Sequence, residues 1–158
     1  MLNRFYGVYD IVCHENDPDL YDLQRDFGFL RDDGMMTISP KGTHVNGANI
    51  PRFLWPVIGS PMSGLNKIWS ANHDSGYGKT LIIIDTNTLE RITIQSAFNN
   101  WRNIPAIHFV HQASVNRKFV DDTLLQAMVV LEEPFWKRKL VYRAVRLFGR
   151  GYWTRGMA

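Results

Sequence analysis

The sequence contains a single cysteine, Cys13. One cysteine excludes an intramolecular disulfide and any zinc site built from several cysteines. The chain lacks a run of 18 or more apolar residues, so the sequence predicts no membrane-spanning helix. Its first residues, MLNRFYGVYD, lack the apolar stretch and small-residue cleavage site of a secretory signal peptide. These absences predict a protein that folds in the cytoplasm of the cell that makes it, whatever its later destination.

The composition is that of one globular domain with an uneven distribution of charge. The 158 residues are 45% hydrophobic and 21% charged, which suits a single domain spanning 1–158. Residues 1–34 carry three Lys/Arg and eight Asp/Glu, whereas residues 116–158 carry nine and four. The basic C-terminal region is therefore either a solvated helix face or a surface for an anionic membrane.

The first 61 residues have the pattern of strands followed by an ordered loop. Residues 4–12 and 21–30 are rich in aromatic and β-branched residues and predict two strands, with a polar loop at 13–20. Asp-Asp-Gly at 32–34 predicts a turn, so residues 1–45 form a small antiparallel sheet. Frequent Gly and Pro at 46–61 predict a loop with a short helical turn near 53–57.

The remaining residues predict three helices and a hairpin. Apolar and polar residues recur at helical spacing over 62–77 and again in two C-terminal helices over 116–149. Two β-branched runs flank Asp-Thr-Asn-Thr within 80–95, which is typical of a β-hairpin. The predicted fold class is therefore α+β: a small N-terminal antiparallel β-sheet followed by a three-helix core with an inserted β-hairpin.

The segment ANHDSGYGK, residues 71–79, carries the most chemistry. His73 and Tyr77 lie one helical turn apart, and Asp74 lies about 100° around the helix from His73. Asp121 borders the apolar stripe of the helix predicted to face them, where it can orient the imidazole. The residues thus provide a base, an orienting carboxylate and a carboxylate for a cation. A buried network that satisfies only its own polar groups is the structural alternative.

The His-Asp-x-x-Tyr pattern of this helix resembles the phospholipase A2 superfamily, especially its small bacterial members. The resemblance implies that His73 activates water, that Asp74 binds calcium, and that Asp121 hydrogen-bonds the histidine, with Tyr77 in support. It implies hydrolysis of an ester of a membrane lipid or a cell-envelope component. The superfamily's disulfides and its Gly-rich calcium loop are absent. The candidate loop here is VNGAN at 45–49, with Asn46, Gly47 and Asn49 as its substrate or loop residues.

A second resemblance covers roughly residues 25–150. The order NGANIPRFLWP, HDSGY, a helix ending in AM, and YRAVRLFG is similar to an uncharacterised family common in phages and prophages. That family carries Asp and Ser in its loop where this chain has Asn46 and Asn49. The resemblance implies a phage-associated protein that is made in the host cytoplasm, with the virion as a candidate destination. The hairpin at 80–95 resembles an insertion that could bind other phage proteins.

Three functional interpretations therefore stay open. The first is a calcium-assisted ester hydrolase, and the second is a non-catalytic virion, tail or accessory protein that retains the fold. A third uses His44, His73-Asp74 and Asp121, which are the residue types of HD metal phosphohydrolases. Nucleic-acid binding by the basic run at 136–139 is not expected, because its helical period is that of a packing helix. His14, His108 and His111 lack ligand-like spacing, which predicts surface or core roles for them.

Overall fold

A computed structural model of the chain describes residues 4–47, 50–60 and 63–154, and it has the predicted α+β architecture. The β region forms two antiparallel sheets, of four and three strands, rather than one. The four-stranded sheet has the order β1-β4-β5-β7, and the three-stranded sheet has the order β2-β3-β6. The strands are β1 (Phe5–Tyr6), β2 (Ile11–His14), β3 (Asp17–Leu23), β4 (Phe27–Leu30), β5 (Met35–Ser39), β6 (His44–Val45) and β7 (Ile82–Asp85).

The predicted strand at 4–12 is divided between the two sheets. Gly7 separates β1 from β2 and has φ of 79°, a conformation that glycine adopts at little cost. A Cβ atom at Gly7 would lie 2.5 Å from the carbonyl oxygen of Asp26, so the position also requires close backbone approach. The predicted loop at 13–20 was wrong in its extent. It shrinks to a two-residue turn at 15–16, because β3 begins at Asp17, which pairs with His14.

The described residues contain six α-helices, two of them before the last strand, β7, and four after it. The two C-terminal helices match the prediction closely, whereas the helix predicted over 62–77 begins later, at Asn66. The helices are α1 (Trp55–Ile58), α2 (Asn66–Tyr77), α3 (Ile94–Asn99), α4 (Arg117–Val130), α5 (Phe135–Phe148) and α6 (Arg150–Thr154). No helix in the described part of the chain is both long and apolar enough to cross a membrane.

The hairpin predicted at 80–95 was wrong. Its first half is β7, which pairs with β5 in the register Met35↔Asp85 to Ile38↔Ile82, and not with the residues that follow it. Its second half ends in the first two residues of α3, which begins after Thr93. The Thr93 side chain accepts a hydrogen bond from the Ser96 amide as an N-cap. The apolar run in β7 is buried beside β5 because the central sheet offers it more apolar contact than an isolated hairpin would.

Helix α2 occupies the centre of the molecule. It packs against α4 on one side and against β4, β5 and β6 on the other. A Cβ atom at Gly76 would lie 2.5 Å from Cγ1 of Val120, so this glycine lets α2 and α4 approach closely. Ten of the twelve residues of α2 are buried, and many of them are polar. The fold therefore places the polar side chains of α2 inside the protein, where each of them needs a partner.

Candidate functional site

The structure brings His73 and Asp121 into direct contact. The distance from His73 Nε2 to Asp121 Oδ1 is 2.9 Å, and neither side chain has any solvent exposure. His73 projects from α2 and Asp121 from the facing helix α4, as the helical spacing predicted. The two roles assigned to them, base and orienting carboxylate, are compatible with this geometry and stay predictions.

Tyr77 and two arginines complete the surroundings of Asp121. The Tyr77 hydroxyl donates a hydrogen bond to Oδ1 over 2.8 Å, and its ring lies 4.3 Å from the His73 ring. Arg146 in α5 donates to Oδ2 over 2.7 Å, and Arg117 lies 3.5 Å from the same oxygen. Arg146 belongs to the basic C-terminal region, which the sequence predicted to be a solvated helix face or a surface for an anionic membrane. Its helical position gave no sign that it reaches a buried carboxylate.

The electrostatics of this group keep Asp121 ionised. Burial acts to raise the pKa of Asp121, but hydrogen bonds from His73, Arg146 and Tyr77 outweigh it and lower that pKa below its usual value. Burial, with the negative charge of Asp121, raises the pKa of Tyr77, so the phenol remains a donor. Because an ionised carboxylate can only accept hydrogen bonds, Nε2 of His73 is the donor in its contact with Asp121. The other nitrogen, Nδ1, is buried and has no hydrogen-bond partner in the structure.

Asp74 lies on another side of α2 and contacts the loop after β6. Its Oδ2 atom accepts hydrogen bonds from the backbone amides of Asn46, over 3.0 Å, and Gly47, over 2.8 Å. Gly47 has φ of 93°, which favours glycine at this position. Burial raises the pKa of Asp74 well above its ordinary value, although the two amides act to lower it. Asp74 thus fixes the loop that the sequence analysis paired with it; Asn49 lies outside the described residues.

The residues around Asp74 do not fit a calcium ion. Calcium takes six to eight oxygen ligands in proteins. Among the described residues, the loop presents two N–H groups rather than oxygen ligands to Asp74 Oδ2, and Asp74 Oδ1 is buried without a hydrogen-bond partner. Within the described residues, the one group of three His, Cys, Asp or Glu side chains close enough to share a metal ion does not include Asp74. No catalytic step is therefore assigned to calcium.

Tyr9 is a half-buried residue near Asp74 that no sequence pattern singled out. Its hydroxyl is buried without a hydrogen-bond partner in the structure. Burial and the nearby charge of Asp74 raise the pKa of Tyr9, so the phenol stays protonated. Tyr9 precedes β2 and is 65 residues from Asp74 in the sequence, so no local spacing connects the two.

The ligand set expected for an HD phosphohydrolase does not assemble. His44 is exposed, and its Nδ1 lies 2.6 Å from Oδ1 of Asp22. His73 is buried against Asp121 instead. His44 therefore contacts Asp22 and not the His73–Asp121 pair.

Comparisons with known proteins identify a family for this chain, and the function of that family is unknown. The family described as "Protein of unknown function (DUF1353)" matches residues 21–145, which is most of the chain. An uncharacterised protein of Sinorhizobium fredii, y4jT, is 40% identical over 55 residues, covering 35% of this chain. The matched segment spans 16% of that relative's length. No solved structure matches the chain.

Proposed function

We propose that this chain, which belongs to the DUF1353 family, is a phage-associated ester hydrolase with His73 as its general base. The observation that carries the proposal is the difference between the surroundings of the two ring nitrogens of His73. Its Nε2 is held by an ionised carboxylate, while Nδ1 is buried without a partner. A buried polar atom without a hydrogen-bond partner is rare in native proteins, and a catalytic role is one explanation for it.

The proposed chemistry uses the two ring nitrogens separately. Nδ1 takes a proton from a water molecule as the water oxygen attacks the ester carbonyl carbon. The resulting imidazolium is stabilised by Asp121, which lies 2.9 Å from Nε2. The same proton then passes to the leaving alkoxide as the ester C–O bond breaks. Tyr77 and Arg146 act by fixing the Asp121 carboxylate, so they are positioning residues in this scheme.

Helix α5 supports a membrane lipid as the substrate class. Its outward residues include Trp136, which is 52% exposed, and Leu147, which is 74% exposed, with Lys139 and Arg143 between them. Exposed aromatic and aliphatic side chains interleaved with cations are typical of helices that lie at an anionic membrane surface. We therefore expect binding to vesicles of phosphatidylglycerol and phosphatidylcholine. Arg143→Glu should weaken it, whereas Lys118→Glu on α4 serves as the control.

The hydrolase proposal is tested with phospholipid in mixed micelles and with short-chain esters. Wild type should release fatty acid, and His73→Gln should lose that activity by about 100-fold or more, since general-base catalysis contributes roughly 10²–10⁴-fold. Glutamine retains an N–H that can reach Asp121, so the fold is preserved. His111→Gln, at an exposed histidine, is the matched control. Equal rates in wild type and His73→Gln would refute the assignment.

A non-catalytic phage structural or accessory protein is the second candidate. The observation that favours it is the complete burial of the His73 and Asp121 side chains, with three helices tied to one carboxylate. In that case the exposed stretch at 90–93, between β7 and α3, is the proposed contact for other phage proteins. Mass spectrometry of purified phage particles tests it. Folded wild type without esterase activity, found in those particles, would favour this candidate.

A further inference from the structure

A second polar cluster lies on the three-stranded sheet, away from His73. His14 Nδ1 is 2.7 Å from Asp22 Oδ2, and His44 Nδ1 is 2.6 Å from Asp22 Oδ1. One ligand atom from each side chain lies within 4.8 Å of the others. We propose that His14, Asp22 and His44 bind one divalent transition-metal ion of the zinc class. This site is independent of the proposed hydrolase site.

The sheet itself brings these three residues together. Each lies on a different strand: His14 on β2, Asp22 on β3 and His44 on β6. Asp22 is directly opposite His44 in the β3–β6 register. The β2–β3 register shifts between Cys13 and His14, and such an irregularity re-aims a side chain. The opposite face of the same strands carries buried residues, so the cluster occupies the outer face.

The donor set selects the class of ion. Two imidazoles and one carboxylate suit zinc, iron(II), cobalt(II) or nickel(II), whereas calcium and magnesium prefer an all-oxygen shell. The side chains of His14, Asp22 and His44 are 27%, 29% and 59% exposed, so an ion has an entry path and can keep water in its remaining positions. Three protein ligands with an open position is the pattern of reactive rather than closed structural zinc sites.

The competing explanation is that Asp22 only accepts hydrogen bonds from two imidazole N–H groups and thereby joins the three strands. Two features favour the metal site. Both histidines direct the same kind of nitrogen, Nδ1, at the carboxylate. Their rings are close, with centroids 5.2 Å apart at an angle of 80°, so both nitrogens face one small volume. Strand pairing alone does not require two imidazoles to converge.

The proposal is tested by titrating metal-free protein with zinc chloride in a calorimeter and with cobalt(II) chloride in a spectrophotometer. Wild type should bind one equivalent of zinc, and cobalt should give visible absorption bands of a low-coordinate site. Each of His14→Gln, Asp22→Asn and His44→Gln should weaken binding by more than the roughly 10- to 100-fold cost of losing a supporting partner. His111→Gln is the matched control and should bind as wild type does.

Circular dichroism shows whether each variant is folded. We expect all three variants to fold, because the substituted side chains are partly exposed to solvent. Imidazole nitrogen resonances provide a second readout, in which zinc shifts Nδ1 of His14 and His44 and leaves His73 unchanged. Absence of saturable binding when wild type is titrated with zinc to several-fold molar excess would overturn the proposal. Binding that survives in His44→Gln but is lost in His111→Gln would also overturn it.

Discussion

Replacing Asp121 by asparagine tests whether this carboxylate connects the three central helices. The substitution preserves shape but removes the charge that Arg146 and His73 contact at 2.7 and 2.9 Å. It also leaves Arg146 without its buried partner. Removing one member of a fully buried pair costs about 3–5 kcal/mol. Because the Arg146 side chain is 33% exposed, water screens part of the loss, and we expect about 2–4 kcal/mol.

The neighbouring residue supplies a matched control. Asp122→Asn is the same substitution one position along the same helix, so helix propensity cancels. The side chain of Asp122 is 28% exposed, and its partner Lys118 is 64% exposed. Such a pair contributes about 0–1 kcal/mol. Urea unfolding of wild type and both variants, followed by circular dichroism at neutral pH, gives the two free-energy differences directly.

The dependence of the unfolding free energy on pH tests the role of Asp121 independently. The folded-state pKa of Asp121 is lowered, so its contribution to stability is present above the unfolded-state pKa of about 3.9. That contribution is lost as the pH falls through the lower, folded-state pKa. The stability gap between wild type and Asp121→Asn should therefore narrow in acid. Equal urea midpoints for the two asparagine variants at neutral pH, or a gap that stays constant down to pH 2, would refute the reasoning.

Three further predictions concern α2. Burial raises the pKa of Asp74 in the folded state, so its ionised carboxylate lowers the stability of the fold above the unfolded-state pKa of about 3.9. Asp74→Asn should therefore raise the urea midpoint at pH 7 but not at pH 3. A lower midpoint for the variant at pH 7 would contradict this. Gly76→Ala should destabilise by about 1–3 kcal/mol through overpacking against Val120, and Val120→Ala in the same chain should recover part of that loss. Calorimetric titration with calcium should give no saturable heat in wild type or Asp74→Ala; heat in wild type that disappears in the variant would restore a calcium site.

The helices were predictable because their signal is local. Apolar residues at spacings of three and four define one face regardless of what packs against it. The prediction of 116–149 as two helices agrees with α4 (Arg117–Val130) and α5 (Phe135–Phe148). Shared helical faces also placed His73, Tyr77 and Asp121 where they meet. Among the three predicted helices, the start of α2 was misplaced by four residues, at a position rich in Gly and Pro, and the short helices α3 and α6 were not predicted.

The strands were less predictable because a strand depends on a partner that the sequence does not specify. The β-branched run at 81–84 has the composition of a hairpin arm, yet its partner is β5, more than 40 residues earlier. Thr93 looked like part of the second arm, but its side chain caps α3. The composition of a segment indicates that it suits a half-buried sheet, but it does not indicate which strand the segment pairs with.

The sequence by itself determined the fold class and the helical faces that carry His73 and Asp121, since these depend on spacing within an element. Tertiary structure decided the rest. It directed Arg146 to Asp121, bound Asp74 to backbone amides, and collected His14, Asp22 and His44 on one sheet face. Sheet register and helix packing bring together residues that are far apart in the chain, and no local pattern encodes those distances.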